Sequence, residues 1–260
     1  MEVTLRASEL RLGYGAREVL RGLSFELGRG ELLAVAGPNG SGKSTLLRGL
    51  LRLLPLQGGS VELLGRPLAS YGRRQLAMAV GWVPQGELPQ VGFTVRQLVE
   101  VGRYSRSGLA LGRRDEQAVE EALRLADLAE LAARPLGELS GGERQRAAIA
   151  LALAQEPEVL LLDEPTSHLD LRHEEEVACV LRRLCRAGRS GVLVTHDLNL
   201  ASRLCDRILL LKDGRAFDCG PPGEVLSEAA VLAVYGVAAR MWRHPETGKP
   251  LVLPGSHPVV

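Results

Sequence analysis

The sequence predicts an α/β fold in which a main sheet carries a small antiparallel β layer and an inserted helical stretch. Three observations carry that expectation. Apolar runs ending abruptly at glycines or polar residues recur at Glu31 to Ala36, Val159 to Leu162 and Gly191 to Thr195, the pattern of buried strands that deliver polar groups at their C-terminal ends. The regions Val3 to Glu26 and Gly59 to Leu64 alternate polar and apolar residues, as antiparallel strands do. Between Glu87 and Pro157 helix signals dominate, notably at Thr94 to Arg103, Asp115 to Ala126 and Gly141 to Gln155.

Composition sets the frame for these elements. Hydrophobic residues make up 45% of the 260 and charged residues 24%, enough to bury a core without staples. Aromatics are only 3%, so that core is expected to be Leu, Val, Ala and Ile. The formal charge of +1 shows no basic surplus, so nucleic acid is not an expected partner. Only three lysines occur among 32 basic residues, which makes Lys43 a lysine where arginine is the habit. Cys179, Cys185, Cys205 and Cys219 form no C-x-x-C pair and are read as buried, reduced thiols. The alternation of polar and apolar residues from Glu2 onward leads to the expectation that no signal peptide opens the chain, and the longest apolar stretch, Ala147 to Ala154, is far short of the ~20 residues that span a bilayer. A soluble chain is expected, with any membrane role exercised through a partner.

Taken in order, the first chemical element follows the strand Glu31 to Ala36. Gly37, Pro38, Asn39, Gly40, Ser41, Gly42, Lys43, Ser44 and Thr45 fit the pattern G-x-x-x-x-G-K-[ST] without deviation. The glycines let the backbone wrap so that successive N–H groups face phosphate oxygens, and the following helix, read at Leu46 to Leu54, adds its positive end. Lys43 is expected to reach the terminal phosphates of ATP, and Ser44 to offer its hydroxyl to Mg2+. Farther on, the strand Val159 to Leu162 delivers Asp163 and Glu164. The first carboxylate is placed to hold Mg2+ and the second to polarise an attacking water. Taken alone such a pair could be helix N-terminal charges, a reading that the phosphate-type loop in the same chain argues against.

Ser140-Gly141-Gly142-Glu143 opens a helix and can form a capping box, but its free N–H groups also make a second anion site. With Leu139 before it and Arg144-Gln145-Arg146 after it, this run resembles the signature motif of ABC-type ATPases. The resemblance covers nearly the whole chain and gives the second phosphate cradle a reason. In that family two subunits pair head-to-tail, and each signature closes on the other's ATP. Further matches follow in the expected order. Gln85, after Val80 to Pro84, resembles the Q-loop glutamine that touches Mg2+ or the attacking water and senses the membrane partner. Ser167-His168-Leu169-Asp170 resembles the D-loop at the dimer interface, His196 the switch histidine that contacts the γ-phosphate, and Tyr14 the aromatic that stacks on adenine. No motif residue is missing.

The resemblance implies one ABC ATPase domain over residues 1–260. Its nucleotide-binding core with β layer would be 1–86 and 158–220, its helical subdomain with the signature 87–157, and its C-terminal extension 221–260. It implies catalytic roles for Glu164, His196, Gln85 and Lys43, and Mg2+ held by Ser44, Gln85 and Asp163. Nucleotide contacts would come from Tyr14, the Gly37 to Thr45 loop, Ser140, Gly141, Gly142 and Asp170. The implied partners are a second copy of the chain, integral membrane permease subunits docking around Gln85 to Ser107, and indirectly a substrate-binding protein, at the cytoplasmic face of the inner membrane. Phe93-Thr94-Val95, Val101-Gly102-Arg103, Gly220 to Leu226, Tyr235-Gly236-Val237 and Pro245 to Pro250 resemble importers of ferric siderophores, haem and cobalamin. An efflux ATPase would share every catalytic residue. A DNA-repair ATPase of the superfamily would place a coiled coil between the two phosphate motifs, whereas Lys43 and Gly141 are 98 residues apart with no heptad run.

Overall fold

A computed structural model describes residues 2–86, 92–108, 110–167 and 169–255. His168, residues 87–91 of the expected docking stretch and helical subdomain, and residues 256–260 of the expected C-terminal extension lie outside the described residues. The chain opens with β1 (Val3–Tyr14), β2 (Arg17–Gly28) and β3 (Leu32–Ala36), then α1 (Lys43–Leu50), β4 (Gly58–Leu63) and β5 (Arg66–Pro67). Next come α2 (Arg73–Ala79), β6 (Val80–Val83), α3 (Val95–Val101), α4 (Tyr104–Ser107), α5 (Arg113–Leu125), α6 (Gly141–Ala154), β7 (Val159–Asp163) and α7 (Leu171–Arg186). The chain closes with β8 (Ser190–Thr195), α8 (Leu198–Leu204), β9 (Arg207–Lys212), β10 (Arg215–Gly220), α9 (Pro222–Val225), α10 (Glu228–Tyr235), β11 (Ala239–Arg243) and β12 (Pro250–Pro254). These elements form two compact units, one from residues 1–70 and 191–260, the other from 71–190.

In the first unit, β2, β1, β4 and β5 lie side by side in that order and pair antiparallel, as the alternating sequence predicts. Leu5, Ala7, Leu10 and Leu12 of β1 are buried. A second set of strands runs β10, β9, β3, β8, with β3 parallel to both β9 and β8. Every residue of β3 is buried, as are Val192 to Val194 and Ile208 to Leu211, so these strands are continuous apolar runs with both faces covered. Each fully buried Leu or Val contributes roughly 1.5–3 kcal/mol by leaving water. The tail is a hairpin of β11 and β12 held to α8, where Asn199 Nδ2 donates to the Val252 carbonyl at 3.1 Å and Asn199 Oδ1 accepts from Val252 N at 2.7 Å.

In the second unit β6 and β7 are parallel partners, in register from Val80 with Val159 to Val83 with Leu162. The helices α3, α5 and α7 pack on α6. The apolar run Ala147 to Ala154 sits in α6 and is almost wholly buried, with Ala147, Ile149, Ala150 and Ala152 inaccessible. Its alanines let neighbouring helices approach closely, so a run hydrophobic all round marks a core helix. No helix among the described residues is long and apolar enough to cross a membrane.

Two expectations need correction. The helix read at Leu46 to Leu54 begins at Lys43 and ends at Leu50, because the phosphate-type loop itself supplies its first turn and Arg52 takes a left-handed conformation at φ 54°. Of the four cysteines, only Cys205 is buried; Cys185 and Cys219 are half-buried and Cys179 is exposed on α7.

Candidate functional site

The first unit brings the Gly37 loop and His196 to the same strand end. Ala36 and Thr195 are register partners in the parallel pair β3 and β8, so the chain leaves these strands side by side into Gly37 and His196. Gly42 caps α1 at φ 110°, and a Cβ there would lie 2.5 Å from Leu20 Cδ2, so both the turn and the close approach demand glycine. Lys43 is 6% exposed, and its ammonium donates to the Gly37 carbonyl at 2.7 Å and the Pro38 carbonyl at 3.1 Å. Asn39, Gly40 and Ser44 are exposed, whereas Ser41 and Thr45 are buried. The Ser41 hydroxyl is buried with no hydrogen-bond partner among the described residues. A buried orphan hydroxyl in a glycine-framed loop that folds onto a lysine is the donor set of an anion cradle.

Tyr14 ends β1 with its ring 45% exposed, and its hydroxyl accepts a 2.8 Å hydrogen bond from Arg48 of α1. The ring is thus tied to the helix that the Gly37 loop begins. Arg48 carries no motif signal, and its contact depends on α1 lying against β1.

The second unit gathers Gln85, Asp163 and Glu164. Asp163 ends β7, Glu164 follows it and Gln85 follows β6, beside the pair Val83 and Leu162. Gln85 Nε2 donates to Glu164 Oε2 at 3.1 Å. Asp163 is 9% exposed and Glu164 is half-buried. Glu164 sits at φ 48°, a left-handed conformation costing a non-glycine residue about 1 kcal/mol, and Ser167 Oγ donates to its carbonyl at 2.9 Å. The loop therefore holds this carboxylate in a conformation the residue would not choose alone.

Ser140 caps α6 in the same unit, and the capping box is real. Glu143 N donates to Ser140 Oγ at 3.2 Å, and Ser140 N donates to Glu143 Oε2 at 2.7 Å. That N–H holds the Glu143 carboxyl below its ordinary range, with help from the Ser140 hydroxyl, Arg134 and Arg146. Capping consumes only part of the helix end, so a further anion can still take N–H groups of Gly141 and Gly142. Asp170 caps α7, and the donation from His173 N holds its carboxyl below the usual range. His173 Nδ1 lies 2.8 Å from Asp170 Oδ1, and His173 Nε2 lies 3.3 Å from Ser140 Oγ. Sequence reasoning passed over His173, because 33 residues separate it from Ser140 and only the packing of α7 on α6 brings them together.

The Ser44 hydroxyl, the Gln85 amide oxygen and the Asp163 carboxylate are each a hard oxygen of the kind that Mg2+ takes. Among the described residues no group of three or more His, Cys, Asp or Glu could hold a metal.

Comparison with known proteins gives the family. The ABC transporter family profile matches residues 20–167. The chain is 43% identical over 257 residues to the hemin import ATP-binding protein HmuV of Streptomyces coelicolor, covering 99% of this chain and 92% of that one. It is 41% identical to YusV of Bacillus subtilis, named for the ATP-binding protein of a siderophore transport system, covering 94% of this chain and 90% of that one. Among solved structures, a transporter described as metal-chelate type, in an inward-facing conformation, superposes with a TM-score of 0.83 at 30% identity over 98% of both chains.

Proposed function

The chain belongs to the ABC transporter family as one of its ATP-hydrolysing subunits, and on that premise we propose that it drives import of an iron chelate or haem through a membrane permease. The observation that carries the cargo class is the likeness to import subunits over almost the entire chain, tail included. Of the cargoes suggested by the sequence, haem and siderophores are those named for these relatives.

In this reading the Gly37 to Thr45 loop takes the ATP phosphates, Tyr14 stacks on the adenine and Lys43 leaves its own loop carbonyls for the β- and γ-phosphates. Ser44, Gln85 and Asp163 would hold Mg2+, which neutralises phosphate charge when bound. Glu164 orients the attacking water, with Gln85 fixing the direction of its carboxylate. His196 and Lys43 stabilise the charge that develops on the γ-phosphate. Ser140, Gly141 and Gly142 of a second copy close on that phosphate, and Asp170 lies at the same subunit boundary. ATP thereby joins two copies, and hydrolysis releases them, one stroke per cycle at the cytoplasmic face of the membrane.

The test is reconstitution with the permease that purifies with the chain, measuring ATP hydrolysis with binding proteins loaded with haem, ferric siderophore or cobalamin. Stimulation by a haem- or iron-loaded protein supports the import reading. Stimulation by none of the three contradicts it, and transport independent of any binding protein would mark an efflux pump.

A further inference from the structure

We propose that His173 is the positioning residue of the signature site, holding the Ser140 hydroxyl where a phosphate oxygen must meet it. This deepens the functional reading above and rests on it, because it assumes that Ser140 to Gly142 take the phosphate of a second copy's ATP.

The geometry is a chain of three side chains within one unit. Asp170 Oδ1 accepts twice from His173, from the backbone N–H at 2.9 Å and from ring Nδ1 at 2.8 Å. An ionised carboxylate can only accept, so Nδ1 carries a proton and the ring is fixed in orientation. Nε2 is then turned to Ser140, 3.3 Å from its hydroxyl oxygen. On its other side the same oxygen accepts from Glu143 N at 3.2 Å, so it is held from both α6 and α7. The ring also lies close against Gly142: a Cβ there would be 2.2 Å from His173 Cδ2 and 2.4 Å from Cγ. Glycine at position 142 is therefore the condition for His173 to reach Ser140. Deeper along the same helix pair, Arg146 of α6 forms an ion pair with Glu176 of α7, so the two helices are joined at more than this point. A movement of Asp170 at the subunit boundary would pass through the ring to Ser140.

The substitutions that separate this role from simple packing differ in reach. Gln at 173 can place an amide group near the position of Nε2, Asn reaches only as far as Nδ1, and Ala reaches neither. Steady-state ATP hydrolysis by the full chain, with the thermal midpoint of each variant, is the measurement. H173A and H173N are expected to raise KM for Mg-ATP by about fivefold to tenfold, the effect of losing one neutral hydrogen bond, with a smaller change in kcat. H173Q is expected to stay near the parent KM, which keeps the test usable if H173A does not fold. The double variant S140A/H173A is expected to match S140A alone, since His173 acts only through that hydroxyl. Equal KM changes for Gln, Asn and Ala, or full additivity in the double variant, would overturn the positioning role. No effect of S140A on KM would instead overturn the signature as a phosphate site, and the proposal with it.

Discussion

Gln85 Nε2 donates to Glu164 Oε2 across 3.1 Å, joining the ends of two neighbouring parallel strands at the residue proposed to orient water. The contact spends one carboxylate oxygen and aims the other. E164Q is expected to lower kcat by about a hundredfold or more, the usual size of a general-base contribution, while leaving ATP binding intact. Q85A should lower kcat less, roughly tenfold, by releasing the carboxylate direction. Phosphate release measured at saturating ATP distinguishes the two, and near-normal turnover of E164Q would contradict the assignment.

Lys43 is proposed to exchange the Gly37 and Pro38 carbonyls, now at 2.7 and 3.1 Å, for phosphate oxygens. Removing a charge-assisted contact of this kind weakens binding by roughly tenfold to a hundredfold. K43A should show that loss in titrations with a fluorescent ATP analogue. K43R should not restore it, because a planar guanidinium cannot take the place of a compact ammonium over two loop carbonyls.

Gly42 combines φ 110° with a Cβ position 2.5 Å from Leu20 Cδ2. G42A is therefore expected to cost about 1–3 kcal/mol of folding stability from backbone strain and overpacking together. Urea denaturation reads this directly. Measured in the L20A background, G42A should cost less than in the parent by the packing part alone, since the strained φ remains.

The core of the second unit contains an ion pair that titrates. Arg103, fully buried, donates from Nε to Asp115 Oδ1 at 2.8 Å and from Nη1 to Glu156 Oε2 at 2.9 Å. Hydrogen bonds from the Ser107 hydroxyl, the Gly112 backbone and Arg103 hold the Asp115 carboxyl at about 2, below its ordinary 3.8. A carboxyl lowered on folding stabilises the protein above its ordinary value, and that share is lost as pH falls through 3.8 towards about 2. D115N, which leaves Arg103 with less compensation, should cost about 3 kcal/mol at neutral pH. The gap between D115N and the parent in urea denaturation should narrow between pH 4 and pH 2, and a gap independent of pH would contradict the pairing.

The phosphate-type loop, the strand-end carboxylates and the signature cap were legible in the sequence because each depends on local backbone requirements: glycines for tight approach, a carboxylate where an apolar run stops, a serine before a helix. The extent of α1 was not, because its first turn is made from Lys43, Ser44 and Thr45, residues read as loop. No glycine or proline stands directly after its last residue, Leu50, and Arg52 takes the left-handed turn itself. His173, Arg48 and the Arg103 pair were hidden for a different reason. Each meets its partner only after separate elements pack, and nothing local in the sequence marks a histidine on one helix as the neighbour of a serine on another.

In the proposed cycle the two phosphate cradles complete each other between copies. Sedimentation velocity of the E164Q chain with and without Mg-ATP measures this. The account predicts a monomer that becomes a dimer at saturating Mg-ATP, and loss of that shift when S140A is added to E164Q. A chain that binds Mg-ATP yet stays monomeric, or pairs equally well without Ser140, would contradict it.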